Sequence, residues 1–253
     1  KIRTCGDQDE DCLRSMLDLA ACTDGEEAVR LYRTVVKVRA KLLGADHPHT
    51  LEDRYDLAMY LFEKCMTDDA IGEFYPLMEL LEAKLQGVDE RDADPQVLLQ
   101  LVICATKLGE LLRAKGSLDE AEGLFRRVYG QCTNRLEANP GDELLSQELA
   151  DASYNLALCL MQRDQLEEAI QYFKVASERS TGACVEGDQR LMQLKAQFLM
   201  AMCLNERDKL GAALKLFKVV AYERSIILGP RHKETLAAEE MVEEVMRKIQ
   251  LDL

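Results

Sequence analysis

The chain has three histidines, and two of them stand with an aspartate and a proline in one short stretch, LGADHPHTL, from Leu43 to Leu51. Carboxylate and imidazole side chains at that density are the ligand types of a metal site, which would draw on Asp46, His47 and His49. The neighbourhood supplies no further histidine or cysteine at a ligand spacing. The third histidine, His232, lies in LGPRHKETL (228–236), a looser copy of the same phrase. A phrase that recurs so far along the chain points to a turn between helices, with Thr50 and Thr235 expected as N-caps of the helices that follow.

Other candidate chemistry thins out in the same way. DERDAD (89–94) is dense in carboxylates, but it lacks the spaced ligands, central glycine and terminal glutamate of a calcium loop, and a solvated turn is expected there. No G-x-S-x-G, P-loop or glycine-rich dinucleotide fingerprint occurs, and the scattered serines and aspartates form no triad pattern, so neither enzyme nor cofactor is expected. Nine cysteines, none in a C-x-x-C pair, read as reduced thiols of a reducing compartment, cytoplasmic or similar. Cys65, Cys104, Cys159 and Cys203 fall in helical apolar stretches as small hydrophobes, while Cys5, Cys12 and Cys22 are the ones expected to be exposed or cross-linked.

Charge and hydropathy set the class of partner. Forty-six acidic against 32 basic residues give a net charge of −14, which repels phosphate backbones and anionic membranes, so no nucleic acid is expected. Charged residues interrupt every apolar run, so no direct membrane insertion is expected. With 47% apolar residues the chain can bury a sizeable core. It begins with lysine, and Lys1 to Glu10 lacks the apolar stretch of a secretory signal, as expected of a processed or trimmed chain.

The elements that organise these residues are repeated. LDEAEGLF (118–125), LEEAIQYF (166–173) and LGAALKLF (210–217) each place an alanine four residues before an aromatic, and EEAVRLY (26–32) and DDAIGEF (68–74) do the same. Twelve residues before four of those alanines comes a large apolar residue followed by a small one: Leu57–Ala58, Leu108–Gly109, Leu156–Ala157 and Met200–Ala201. Leu61, Leu112, Leu160 and Leu204 follow three residues later. Small residues on two antiparallel helices let the backbones approach while leucine and aromatic fill the flanks. The spacing predicts hairpins over 11–43, 50–86, 95–138, 143–180 and 189–228 with a capping helix over 234–251, all in one domain. The first helix is the least regular, with Ser15 and Met16 at its matching positions. Between hairpins, GVDERDADP (87–95), ANPGDE (ending at Glu143) and TGACVEGD (181–188) carry turn chemistry. Pro76, two residues after Phe74, is expected to kink or split its helix.

This register resembles the tetratricopeptide repeat family, and the long repeat spacing with LG-x-DHP-x-TL resembles its kinesin light chain variety. The resemblance implies an all-α, right-handed superhelical solenoid of stacked antiparallel hairpins that acts as a non-catalytic protein–protein interaction scaffold or adaptor. The family's aromatic near the start of the first helix is replaced by Arg54, Ala105, Ser153 and Gln197, and its turn glycine is kept only at Gly116, with Cys65, Asp164 and Asp208 elsewhere. Counted from the small residues, the first helices offer Tyr55, Met59, Lys107, Arg113, Tyr154, Asn155, Leu158, Lys195, Phe198, Met202 and Asn205 to a partner-binding groove. These side chains either line the groove or pack on neighbouring hairpins. Asn155 matches the family's habit of holding a peptide backbone with asparagine, and the acidic surroundings favour an amphipathic or basic protein segment. The alternative is a permanent subunit of a large assembly, which would use helix edges, loops or the convex face; the kinesin likeness implies association with the cytoskeleton.

Overall fold

Apolar residues at helical spacing run through the whole chain, and the computed structural model, which describes residues 10–87, 94–179 and 187–251, is built from helices and short turns over those residues. They are α1 (Glu10–Ala21), α2 (Glu26–Leu43), α3 (Pro48–Glu63), α4 (Thr67–Leu85), α5 (Pro95–Ala114), α6 (Leu118–Ala138), α7 (Glu143–Gln162), α8 (Leu166–Arg179), α9 (Gly187–Glu206), α10 (Leu210–Ile227) and α11 (Lys233–Leu251). The chain forms two compact units, Lys1–Lys115 and Gly116–Leu253. In each unit every helix packs on its neighbours in sequence, and in the first unit α3 also meets α5. α1 is a regular helix over Glu10–Ala21, with Ser15 and Met16 inside it. The long repeat period is taken up by long helices of 18 to 21 residues in α2, α4, α5 and α6.

The repeat residues make the core. Ala28, Ala58, Ala70, Ala121, Ala157, Ala169, Ala201 and Ala213 are wholly buried, as are Phe74, Phe125, Phe173 and Phe217. Each buried phenylalanine contributes about 1.5–3 kcal/mol relative to exposure. Five residues before the repeat alanine, the chain turns through a left-handed backbone at Cys65, Gly116, Asp164 and Asp208, with φ of 57°, 85°, 59° and 57°. The next N–H then returns to the repeat leucine: Met66 to Leu61 at 2.9 Å, Gln165 to Leu160 at 2.9 Å and Lys209 to Leu204 at 2.8 Å. These are helix C-terminal closures of the Schellman type.

Three expectations need correction. Cys65 is not a helical core residue but an exposed turn residue, and Cys12 is buried rather than exposed. The seven described cysteines are not in disulfides; Cys5 and Cys184 lie outside the described residues, as do 88–93 and 180–186 of the acidic loops, including most of DERDAD. Pro76 does not split α4, which runs unbroken from Thr67 to Leu85.

The third correction concerns the histidine phrase. The cap of α3 is His47, whose Nδ1 accepts the His49 N–H at 3.3 Å, with Pro48 at the first helical position. Thr50 is instead wholly buried one turn in. The second junction is built alike: His232 Nδ1 accepts the Glu234 N–H at 3.3 Å, and buried Thr235 donates Oγ1 to the Gly229 carbonyl at 3.0 Å. Gly44 and Gly229 both have positive φ, 106° and 92°. Behind each junction lies a buried arginine five residues before the glycine. Arg39 donates to Asp53 Oδ1 at 2.7 Å and Glu10 Oε1 at 2.5 Å, and Arg224 donates to the Glu234 carbonyl at 3.1 Å.

Candidate partner-binding surface

In the second unit the first helices α7, α9 and α11 bring three of the expected groove residues together. Tyr154 from α7 and Lys195 and Phe198 from α9 line a cavity of about 360 Å³ with Arg224 of α10 and Lys233 and Glu234 of α11. Phe198 is held edge-on to Phe217 at 5.4 Å between centroids, and Tyr154 edge-on to Phe173 at 5.9 Å. The Arg224 guanidinium lies 4.9 Å from the Phe198 ring centre. Burial lowers the pKa of Arg224, with Glu234 opposing. The wall is thus apolar and aromatic, with three cationic side chains and one carboxylate already engaged with Arg224 at 3.6 Å. A site of this kind fits an apolar side chain beside an acidic group.

The other expected residues divide. Met202 and Phe198 pack against the buried cluster of Ala201, Leu204, Ala213, Phe217 and Val245, so both serve the core as well as the surface. Asn155 is buried and donates Nδ2 to the Asp151 carbonyl at 3.1 Å, back onto its own helix. Leu158 is half-buried on α7, and Asn205 accepts from Lys248 at 3.4 Å. In the first unit Tyr55, Met59 and Arg113 are half-buried, and Lys107 sits 5.1 Å from the Phe62 ring centre while bonded to Glu110 at 3.2 Å. Burial, with Glu52 adding to it, raises the pKa of Asp56 on α3. The first unit also holds a cavity of about 410 Å³ between α2, α3 and α4, where Arg33, Lys37, Lys41 and Arg54 face a single carboxylate, Glu73.

Arg224, Lys233 and Glu234 were not among the residues expected at the groove. The signal was present: Arg224 stands in the same phase to LGPRHKETL as Arg39 does to LGADHPHTL. Among the described residues no group of three or more histidine, cysteine or acidic side chains could hold a metal ion, and no helix is long and apolar enough to cross a membrane.

A tetratricopeptide repeat model matches residues 17–49, from the end of α1 through α2 and the junction phrase to His49. Among solved structures, the nearly identical TPR-like repeats assigned to a kinesin light chain of Podosopora anserina match with a TM-score of 0.61 at 19% identity, covering 84% of this chain and 95% of that one. The fold is that of a tetratricopeptide repeat protein. The apo form of RapI also matches, with a TM-score of 0.58 at 12% identity over 88% of this chain and 70% of its own. BtubC (BKLC) from P. vanneervenii gives 0.51 at 15% identity, covering 95% and 92%. No curated protein matches the sequence significantly. The tetratricopeptide repeat match takes in LGADHPH, so the histidine phrase belongs to the repeat itself.

Proposed function

We propose that this chain is a non-catalytic, single-domain interaction scaffold that takes a helix or extended segment of a partner protein on the face of its first helices. The observation that carries the proposal is the cavity of the second unit, where Tyr154, Lys195 and Phe198 converge with Arg224 and Lys233. Net charge favours a basic or amphipathic partner for the chain as a whole. The cavity adds a local requirement of opposite sign, so the segment best suited is amphipathic and places one acidic side chain beside an apolar one there. A cytoplasmic, reducing location and a link to the cytoskeleton are part of the same proposal, supported by described cysteines that are not in disulfides and by the kinesin light chain likeness.

The test is purification of the chain with its partners from the native source, cross-linked and read by mass spectrometry, for the parent and for Lys195→Glu with Lys233→Glu. The expected result is cross-links within the cavity and loss of the partner from the variant, with the melting temperature kept. Retention of the same partner by the folded variant would sink the groove reading. Cross-links confined to α10 would favour the second reading, a permanent assembly subunit that uses the convex side, which the exposed apolar residues of α10 support.

A further inference from the structure

On α2 the cations Arg33, Lys37 and Lys41 stand one helical turn apart, and with Arg54 of α3 they line the first unit's cavity of about 410 Å³ beside Val36, Leu57 and Glu73. Like charges four residues apart on a helix repel and destabilise it. The nearby acids relieve only the first of them: Arg33 donates to Asp69 at 2.9 Å and lies 3.7 Å from Glu73. Among the described residues no carboxylate pairs with Lys37, Lys41 or Arg54, and Arg54 Nε is buried without a hydrogen-bond partner. A buried donor in that state costs stability that a bound oxyanion would recover.

The fold itself does not require these cations. At the places of Arg33, Lys37 and Lys41, α4 has Tyr75, Glu79 and Ala83, α6 has Arg126, Gly130 and Asn134, and α8 and α10 keep one lysine each. Where Arg54 stands, α5, α7 and α9 carry Ala105, Ser153 and Gln197. Helices of the same repeat thus pack without a cationic lining, and its concentration at α2 and α3 alone points to a ligand.

We infer that this cavity binds a phosphate monoester. At neutral pH such a group carries a charge of about −1.5 to −2 on strongly accepting oxygens, which balances the cations that Asp69 and Glu73 leave over. A lone carboxylate would balance only one of them. The planar fork of Arg54 suits two phosphate oxygens at once, and the lysines add point charges. Val36, Ala40 and Leu57 supply an apolar wall for the carbon atoms of the ester. A helix is about 10–12 Å across, so this volume amounts to roughly one turn, and the cavity takes a side chain or small molecule rather than a packed helix. The net charge of −14 opposes an extended polyanion such as nucleic acid or an anionic membrane, because local cations prevail only within a screening length of about 8 Å. The ester arrives either as a phosphorylated serine of a protein segment or as a free small molecule, and both present the same group.

The test titrates the full chain by calorimetry, at one ionic strength, with phosphoserine capped at both ends and with ribose 5-phosphate. Saturable one-site binding is expected, and the tighter of the two probes identifies the source of the ester. Lys37→Gln with Lys41→Gln, both exposed, should weaken it by about tenfold, and Arg54→Gln by about fivefold. Circular dichroism melting confirms that the variants fold. Capped aspartate should bind about tenfold more weakly than capped phosphoserine. Lys195→Glu with Lys233→Glu should leave phosphate binding unchanged, and its loss there would overturn the site in favour of the second unit's groove. No saturable binding of either ester by the parent, equal binding by the folded Lys37→Gln, Lys41→Gln chain, or capped aspartate binding as tightly as the ester also overturns it. Binding that appears only once Asp89, Glu90 and Asp92 are changed to their amides overturns it in favour of the chain's own acids.

Discussion

At Cys65 the chain adopts a left-handed backbone without glycine, and Asp164 and Asp208 do the same. A side chain in that region costs about 1 kcal/mol, less for aspartate, which tolerates it better. Cys65→Gly is expected to raise stability by about 1 kcal/mol in urea denaturation, with smaller gains at Asp164 and Asp208, and Gly116→Ala to lower it. A second local effect lies at Asp53, where burial pushes the carboxyl up to about 6 although Arg39 draws it down. The unfolded chain ionises nearer 4, so the folded form holds its proton longer. This carboxyl stabilises the fold fully below pH 4, and that contribution is lost as pH rises through about 6. The stability difference between the parent and Asp53→Asn should fall from pH 4 to 6 and level off above. Arg39→Met, which strands buried Asp53, is expected to cost about 3–5 kcal/mol at pH 7.

Helix pairs depend on the small residues at their crossing. Ala157 of α7 and Ala169 of α8 are both wholly buried, and Ala157→Leu would force side chains off their rotamers. The expected loss is about 1–3 kcal/mol by chemical denaturation. At the matching place in α11, Glu243→Leu should change stability by about 0.5 kcal/mol or less, because nothing lies over that position. The same substitution thus distinguishes a first helix covered by its partner from one whose face is open. Such contrasts arise because the repeat provides its own internal controls.

Over the whole molecule, stability comes from contacts between sequence neighbours, as in other repeat folds. Helices with one neighbour within their unit should open first, so amide exchange by mass spectrometry is expected to be fastest in α1 within the first unit and in α6 and α11 within the second. Protection that is uniform along each unit would contradict this nearest-neighbour picture. Charge is also organised at this scale: the chain is acidic, yet the cavities at Phe198 and at Arg54 each carry more lysine and arginine than acidic side chains. Partner binding at the second-unit cavity should therefore weaken as salt rises, by screening of Lys195 and Lys233.

The sequence by itself determined the all-helical fold and the buried phenylalanines, because each depends on spacing along one or two helices. It also placed Tyr154 and Phe198 at a shared register, with Lys195 three residues before Phe198. Tertiary structure alone decided that these three meet Arg224 and Lys233, since a cavity is made by helices that register does not relate. It likewise turned Asn155 back onto its own helix, buried Thr50 under a histidine cap, and left Tyr222 and Ile226 open. Those outcomes depend on which surfaces a neighbouring helix covers, and covering is a property of the packed chain rather than of any segment.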